Sequence, residues 1–256
     1  MHNLFDMTGQ VAVITGSSRG IGKAIAHAMA AHGAQVVISS RKQDACEDAA
    51  AEINAAVGRE AAVACAANIS SKEALQGLAD FALQRFGTVT ALVCNAASNP
   101  YFGPMSGIAD EQFVKILMNN VVSNHWLIQM LAPQMLERKS GSITIVSSIG
   151  GFKASTVIGA YNISKAADMQ LARNLAAEYG PAGVRVNCIC PGLVRTDFAR
   201  ALWENPDILK QATAQSALHR IGEPHEIAGM AVFLASRAGA FTTGQAMVID
   251  GGATIV

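Results

Sequence analysis

The sequence predicts an α/β protein: a doubly wound parallel sheet of about seven strands with helices on both faces. Short runs of apolar residues, many of them β-branched, alternate with longer stretches whose apolar residues recur at helical spacing. The short runs are apolar throughout rather than at every second position, which is typical of parallel strands buried on both faces. The 256 residues are 51% hydrophobic and 15% charged, which is enough apolar material for a large core.

Predicted strands and helices alternate along the chain. After the first strand, Ile21 and Ile25 stand at helical spacing, and this helix is expected to end at Gly33. Residues 70–73, Ser-Ser-Lys-Glu, resemble a capping box at the start of a later helix. No linker, composition shift or internal repeat interrupts the pattern, so residues 1–256 are interpreted as one domain. The predicted strands are residues 11–15, 35–39, 62–66, 91–94, 142–147, 185–190 and 246–249.

One segment departs from the alternation. Residues 196–222 are helical in pattern, contain few strand signals and follow the sixth predicted strand. Ligands of open α/β sheets bind at the carboxyl ends of the strands, so this segment is predicted to form a lid over a substrate pocket. Apolar side chains could line the pocket or pack the lid itself. The candidates are Phe198, Leu202 and Trp203 in the lid, and Tyr101, Phe102 and Met105 after the fourth strand.

Charge and targeting signals narrow the function. The 19 basic and 19 acidic residues cancel and form no basic cluster, which argues against nucleic-acid or anionic-membrane binding. No apolar run approaches the ~20 residues of a membrane-spanning helix. Neither a signal peptide nor a peroxisomal tripeptide is recognised, so a cytoplasmic protein is expected. The five cysteines form no CxxC pair, which favours a reduced compartment, and the histidines lack metal-ligand spacing, so no metal is predicted.

A glycine-rich turn joins the first predicted strand to the first helix. Residues 16–22 follow Thr15 with the spacing G-x-x-x-G-x-G. Glycines also mark ordinary turns, but between a strand and a helix they allow close approach of a phosphate to a helix N-terminus. The turn therefore predicts a Rossmann-type dinucleotide site. Its candidate binding residues are Gly16, Ser18, Arg19, Gly20, Ile21 and Gly22.

The end of the second strand indicates which dinucleotide is bound. No Asp or Glu stands between Gln35 and Gln43 to bind a ribose 2′-hydroxyl. Arg41 stands there instead, and Arg19 is expected close by. Two guanidinium groups near one phosphate form charge-assisted hydrogen bonds, although both could also be solvated loop charges. The sequence favours NADP(H) over NAD(H).

A tyrosine and a lysine indicate acid–base chemistry. Tyr161 and Lys165 are four residues apart in a helical segment, so both project from one face. A phenol has a pKa of about 10, and a nearby ammonium lowers that pKa by stabilising the phenolate. Ser148 ends the fifth predicted strand, where its hydroxyl could hold a carbonyl oxygen. A Tyr–Lys pair at this spacing is usually a pair of exposed residues without a catalytic role. Here it is significant because it occurs together with Ser148 and the glycine-rich turn.

Together these motifs resemble the short-chain dehydrogenase/reductase family nearly from end to end. They include an Asn-Ala-Gly motif after the fourth strand, a Pro-Gly-x-x-x-Thr motif after the sixth, and the closing segment at residues 243–252. Asn119 beside Asn120 leaves the register of the family's asparagine open. The matching residues are Thr15, Gly16, Gly20, Ile21 and Gly22; Asn95, Ala96 and Ala97; Asn120; Ser148, Tyr161 and Lys165; and Pro191, Gly192 and Thr196.

The resemblance implies four catalytic residues, Asn120, Ser148, Tyr161 and Lys165, with Tyr161 as the general acid and base. Two positions depart from the family pattern: Ala97 replaces the usual glycine, and Asn68 stands where many members have Asp. Neither departure is expected to abolish coenzyme binding. Beyond the glycine turn and Arg41, the implied coenzyme contacts are Asn68, Ile69, Asn95, Ala96, Ala97, Tyr161, Lys165, Pro191, Gly192, Val194 and Thr196.

Residues 39–44, 95–103 and 191–203 further resemble the subgroup of NADPH-dependent carbonyl reductases related to dehydrogenase/reductase member 4. This implies hydride transfer between NADP(H) and a small-molecule ketone, α-dicarbonyl or secondary alcohol. The alternatives are a 3-oxoacyl-[acyl-carrier-protein] reductase, which shares the same motifs, and a non-catalytic dinucleotide sensor. Family habit implies a homotetramer or a homodimer.

Overall fold

The computed structural model describes residues 3–256 and contains one seven-stranded parallel sheet. The strand order is β3-β2-β1-β4-β5-β6-β7, and every neighbouring pair is parallel. This confirms the predicted Rossmann-type architecture. The strands are β1 (Val11–Thr15), β2 (Gln35–Ser39), β3 (Ala62–Ala64), β4 (Ala91–Cys94), β5 (Gly141–Val146), β6 (Val184–Pro191) and β7 (Ala246–Ile249).

Helices connect the strands. A five-residue π-helical segment, Met118–Val122, joins the fourth helix to the fifth. The helices are α1 (Gly20–Ala31), α2 (Gln43–Val57), α3 (Lys72–Phe86), α4 (Asp110–Leu117), α5 (Ser123–Arg138), α6 (Gly159–Tyr179), α7 (Arg200–Trp203), α8 (Pro206–Ala214) and α9 (Pro224–Ala235).

Each face of the sheet has its own hydrophobic core, because successive strand residues point to opposite faces. In β1, Ile14 packs toward α1, α2 and α9, while Val13 packs toward α3, α5 and α6. In β2, Ile38 and Val37 divide in the same way. Both faces are buried, which explains why the strands read as unbroken apolar runs.

Several boundaries differ from the sequence-based prediction. β5 lies one residue earlier than the predicted 142–147, and β6 extends one residue beyond each end of the predicted 185–190. β3 ends at Ala64 rather than at residue 66, because in its register with β2 residue 66 lies past Ser39, where β2 ends. The Ala66 amide, on the free edge of the sheet, donates to the side chain of Gln43. The cap of α3 is Ser71, whose hydroxyl accepts from the amide of Ala74. Ser70, the first residue of the predicted capping box, instead donates to Asn119.

The strand order places a crevice between β1 and β4. The chain runs outward from β1 through β2 to β3, then returns to pair β4 with the other edge of β1. The connections that follow β1 and β4 therefore diverge to opposite sides, and such a switch point is where open α/β sheets bind ligands. Among residues 3–256, no helix is both long and apolar enough to cross a membrane.

Candidate active site

The glycine turn is held against the end of β4 by hydrogen bonds. The Asn95 side-chain amide donates to the carbonyl oxygens of Thr15 and Gly16, both at 3.0 Å. In return, the Thr15 hydroxyl accepts from the amides of Asn95 at 3.0 Å and Ala96 at 3.1 Å. At Gly22 a Cβ atom would lie only 2.3 Å from the Gly16 carbonyl oxygen, so this position has room for glycine alone. Hydrogen bonds therefore hold the Thr15-Gly16 and Asn95-Ala96 motifs together.

The N-terminus of α1 opens at this turn and fits a pyrophosphate. No side chain caps the helix, and its first turn contains no acidic residue. Its first amides are therefore left for an anionic ligand, which the helix dipole also favours. Gly20 adopts a φ of 57°, and a Cβ there would approach the Thr196 methyl group to 3.3 Å. The start of the 196–222 segment thus lies directly beside the turn.

The two candidate arginines have different surroundings. Arg41 is exposed at the carboxyl end of β2, next to Ser40. Arg19 pairs with Asp197 at 3.0 Å, although its side chain remains 70% exposed. The turn is joined to β2 through buried Ser17, whose hydroxyl donates to the Ile14 carbonyl and accepts from the Ser39 amide. Ser17 was not identified from the sequence as a structural residue of the turn. Its position inside the glycine turn is the only sequence signal for this role.

The remaining predicted coenzyme contacts lie in loops at the same edge of the sheet. Ala96 and Ala97 follow β4 and are half-buried, as is Ile69 in the loop after β3. Asn68 is exposed, and its side-chain oxygen accepts from the Ser70 amide. Asn68 therefore keeps two amide donors for a ligand while its oxygen shapes the loop.

Tyr161, Lys165 and Ser148 come together at the carboxyl edge of β5. The Lys165 ammonium lies 5.7 Å from the centre of the Tyr161 ring. Ser148 is the second residue after β5, and its hydroxyl accepts from the Gly150 amide at 3.0 Å. The Lys165 Nζ donates to the Val146 carbonyl and to the Asp168 carboxylate, both at 2.9 Å.

Burial and neighbouring charges act in opposite directions on the Tyr161 phenol. Burial raises the pKa of Tyr161, whereas the Lys165 ammonium and the Ser148 hydroxyl lower it. The balance lies above the ordinary value, so the influence of Lys165 has the predicted sign but burial outweighs it. Burial lowers the pKa of Lys165 while Asp168 raises it, and the balance again lies above the ordinary value. The site therefore holds a neutral phenol beside a charged ammonium.

Asn120 joins the π-helical segment to α6. Its side-chain amide donates to the Ser98 carbonyl and to the Ser164 hydroxyl, both at 3.0 Å, and its oxygen accepts from the Ser98 amide. Ser164 in turn donates to the Tyr161 carbonyl. Asn119 bonds instead to the hydroxyls of Ser98 and Ser70. Asn120 is thus the asparagine that contacts the Tyr161 helix.

Two buried polar residues behind Lys165 were missed by sequence reasoning. Asp168 pairs with Lys165, and Asn124 donates from its side-chain amide to the Asp168 carboxylate at 3.1 Å. The same amide donates to the Asn120 carbonyl at 2.6 Å. Asp168 stands three residues after Lys165 in a helical segment, and that spacing could have indicated the contact.

The loop after β6 completes the edge and starts the predicted lid. Gly192 packs so closely on Asp250 that a Cβ would lie 2.8 Å from its Cα atom. Pro191 ends the strand, buried Val194 pairs with Gly222 in an isolated bridge, and the Thr196 hydroxyl accepts from the Ala199 amide.

The lid segment is fastened at its base and open above. Arg195 donates its amide to the Gly222 carbonyl, and the Gly222 amide donates to Leu193, while Arg195 also pairs with Glu223. Among the described residues of α7 and α8, none is buried. The lid stays a prediction, for which exposed helices between bonded ends leave room.

Apolar side chains lie beside the Tyr161 ring and at the start of α6. The Phe198 ring centre lies 5.9 Å from that of Tyr161, while 57% of Phe198 is exposed. Met105 packs against the start of α6, where a Cβ at Gly159 would meet its side chain at 2.7 Å. Trp203 packs within the lid instead, because its indole donates to the Thr196 carbonyl. Phe198 thus lies beside Tyr161, whereas Trp203 bonds within its own segment.

Comparison with known proteins places this fold and site in context. A family model described as enoyl-(acyl carrier protein) reductase matches residues 16–254. The curated protein dehydrogenase/reductase SDR family member 4 of Bos taurus is 39% identical over 246 residues, which cover 96% of this chain and 88% of that protein.

Two similar solved structures contain different coenzymes. A 7α-hydroxysteroid dehydrogenase, solved with NADH and 7-oxo glycochenodeoxycholic acid, has a TM-score of 0.92 and 35% identity, with 98% of each chain covered. A gluconate 5-dehydrogenase from Burkholderia cenocepacia, solved with NADP and tartrate, has a TM-score of 0.93 and 28% identity, with 99% of this chain and 98% of that chain covered.

Proposed function

Because the chain belongs to the short-chain dehydrogenase/reductase family of oxidoreductases, we propose that it is an NADPH-dependent carbonyl reductase. The observation that carries the proposal is the arrangement at the carboxyl edge of β5. There a protonated Tyr161 phenol, a charged Lys165 and the Ser148 hydroxyl lie together beside the switch point. A coenzyme bound along the glycine turn supplies the hydride that reduces the substrate carbonyl carbon.

Tyr161 is the proposed proton donor. Its neutral phenol gives its proton to the carbonyl oxygen as negative charge develops there, and the Lys165 ammonium stabilises the phenolate that remains. Ser148 donates a hydrogen bond to the same oxygen and polarises the carbonyl. In the reverse direction, the phenolate accepts the proton of a secondary alcohol.

Lys165 and Asn120 support this step. An ammonium has three donors, and the Val146 carbonyl and Asp168 occupy two of them. The third is free for a ribose hydroxyl of the coenzyme. Asn120 holds Ser164 and hence the Tyr161 backbone in place. It is also the proposed anchor of a water molecule that connects Lys165 to solvent.

NADP(H) is the proposed coenzyme, with Arg41 as its main selective residue. Arg41 is exposed where β2 ends, and the described loop around it, residues 40–43, offers no carboxylate for a ribose 2′-hydroxyl. Arg19 takes part once its pairing with Asp197 gives way, because that pair is exposed and therefore weak. The remaining coenzyme contacts are proposed as the sequence predicts them.

The substrate is proposed to be an apolar carbonyl compound such as a ketone or an α-dicarbonyl. Phe198 presents apolar surface beside the Tyr161 ring, and half-exposed Met105 does so at the start of α6. Residues 196–222 form the lid that encloses the substrate. Closure over an apolar pocket excludes water from the reacting carbonyl.

An assay of coenzyme oxidation tests the function. We expect the purified protein to oxidise NADPH with an α-diketone, faster than with an acetoacetyl thioester and not without a carbonyl compound. Tyr161→Phe should lose at least about 100-fold in kcat while still binding NADPH, because a positioned general acid contributes that much. Tyr179→Phe, on the same helix and away from the site, is the matched control and should keep its activity.

Other outcomes reject the proposal in distinct ways. Preference for the thioester indicates a 3-oxoacyl-[acyl-carrier-protein] reductase. NADPH binding without turnover of any carbonyl compound indicates a dinucleotide sensor. Activity of Tyr161→Phe close to that of the unmodified protein excludes Tyr161 as the proton donor.

A further inference from the structure

A buried ion pair lies behind the Tyr161 site. The Lys165 Nζ and the Asp168 Oδ2 are 2.9 Å apart, and their side chains are 2% and 0% exposed. The carboxylate accepts a second hydrogen bond from Asn124, and the ammonium donates a second one to the Val146 carbonyl. Both charges are therefore fixed in geometry and removed from water.

A buried ammonium needs a counter-ion to remain charged. Burial favours the neutral amine and can lower the pKa of a lysine by several units. At Lys165 that effect is opposed first by the attraction to Asp168, and the pKa stays above its ordinary value. Because the third N–H is the one available to a coenzyme, the two fixed bonds also orient the ammonium.

We propose that Asp168 is a positioning residue for the reaction: its carboxylate keeps Lys165 charged and directs the ammonium toward Tyr161 and the coenzyme ribose. The inference rests on the proposed function, in which the Lys165 charge stabilises the Tyr161 phenolate. Asp168 is not proposed to touch substrate or coenzyme. Its own charge raises the pKa of Tyr161, so the proposed support of the phenolate comes through Lys165.

Asn124 connects this ion pair to the π-helical segment. Its single side-chain nitrogen donates both to the Asp168 carboxylate at 3.1 Å and to the Asn120 carbonyl at 2.6 Å. The carboxylate is thus anchored from α5, on the side away from Lys165. The Asp168 carboxylate is fixed by its own helix α6 and by Asn124 of α5. The fold therefore sets its position, and with it the position of the Lys165 ammonium.

Other titratable groups around the pair stay neutral at ordinary pH. Besides Tyr161, these are the thiols of Cys94 on β4 and of Cys188 and Cys190 on β6. Burial raises the pKa of all three, to about 11 for Cys190. Arg173, five residues after Asp168 on the same helix, lowers the pKa of Cys188 through its charge. Lys165 and Asp168 are therefore the charges whose loss changes the site.

The pH dependence of unfolding tests the ion pair without any substrate. In Asp168→Asn the native Lys165 should release its proton, whereas the unfolded chain keeps it up to a pKa of about 10.4. The unfolded state then binds more protons, so the stability of the variant relative to the unmodified protein should rise with pH. Between about pH 7 and 10 the ratio of the two unfolding constants should change by up to tenfold per pH unit. If the unfolding free energies of Asp168→Asn and of the unmodified protein change in parallel with pH, the proposal is overturned. In the double variant Lys165→Met/Asp168→Asn, the pH dependence of this difference should vanish.

If Asp168→Asn does not fold, Lys165→Met tests whether Lys165 and Asp168 form a charged pair. Lys165→Met leaves Asp168 buried without its cation, and burial then holds a proton on the native carboxyl that the unfolded chain releases. The stability of Lys165→Met relative to the unmodified protein should therefore fall as pH rises from about 4 to 7. A difference that is independent of pH overturns the pairing.

The kinetic consequence is measured in the direction of alcohol oxidation, where Tyr161 must be ionised. In Asp168→Asn, the apparent pKa of the acid limb in the pH profile of kcat/KM should rise by one pH unit or more. The variant should also lower kcat by a larger factor than it raises the coenzyme KM. Asp168→Glu, which keeps the carboxylate, should move the limb back toward its original position. An unchanged or lower limb overturns the positioning role. If the unmodified protein turns over no carbonyl or alcohol, the proposed function fails, and the unfolding curves still decide the ion pair.

Discussion

Single side chains at this site each hold two or three partners. The Thr15 hydroxyl accepts from two successive amides, and the Asn120 amide bonds to Ser98 on one side and Ser164 on the other. Lys165 divides its donors between a backbone carbonyl and Asp168. Because each such residue satisfies several buried groups, removing one leaves its partners without hydrogen bonds, which costs more than the bond itself.

Coenzyme selectivity is the prediction that belongs to the residue scale. Arg41→Ala should raise the KM for NADPH by about tenfold or more, because a charge-assisted contact to a phosphate is worth roughly 1.5–3 kcal/mol. The KM for NADH should stay within about twofold, since NADH carries no 2′-phosphate. Steady-state kinetics with each coenzyme provide the measurement. Lys42→Ala, exposed at the next position, is the control with a small effect, and equal weakening of both coenzymes in Arg41→Ala contradicts the assignment.

Among the elements, two irregular segments create the site. The glycine turn between β1 and α1 brings an uncapped helix N-terminus to the edge of the sheet. The π-helical segment between α4 and α5 interrupts the regular ladder where Asn119 and Asn120 are buried, and π-helical turns often occur at functional sites. The regular strands and helices serve to hold these two segments about the switch point.

The brace between β4 and the glycine turn makes the prediction at this scale. Asn95→Ala leaves the Thr15 and Gly16 carbonyls without their side-chain donor, so the free energy of unfolding should fall by about 1–3 kcal/mol. The coenzyme dissociation constant should rise as well, because the turn loses its support. Urea unfolding and coenzyme fluorescence measure the two effects. The control is Asn174→Ala, an exposed asparagine on α6 expected to change stability by less than about 0.5 kcal/mol; a similar small change in Asn95→Ala would refute the brace.

At the scale of the whole molecule, the two hydrophobic cores stabilise the sheet, while its carboxyl edge carries the candidate site. Both faces of the sheet are sealed by helices, whereas the carboxyl edge carries the loops and the exposed lid helices. On α6, Ala172 and Ala176 pack on the chain's own sheet, while Ala166 and Ala177 are exposed. The small residues of that helix are thus divided between the core and the surface.

Assembly is the prediction for the whole molecule. We expect a homotetramer or a homodimer, as the family resemblance implies, with exposed Phe241 as one apolar side chain that a neighbouring subunit would cover. Light scattering on the eluting protein should give about four or two times the chain mass of 26.6 kDa. A particle with the mass of one chain would contradict this expectation.

The strands and the glycine turn could be predicted closely because their signals are local. The β1, β2, β4 and β7 strands have the predicted bounds, since a doubly buried strand requires an unbroken apolar run. The predicted end of β3 was wrong by two residues, because residue 66 lies past Ser39, where its partner strand β2 ends. The end of a partner strand leaves no signal in the local sequence of β3.

The amino-acid sequence by itself determined the fold class and the identity of the residues that meet at the edge of the sheet. Periodicity and motif spacing are local, and strand ends in a parallel sheet converge without further information. Only the tertiary structure decided the partners of those residues: Asp168 for Lys165, Asn124 for Asp168, and Asp197 for Arg19. Partners depend on which side chains burial and helix packing force together, and burial also reversed the net pKa shift of Tyr161, because desolvation is a property of the folded surroundings.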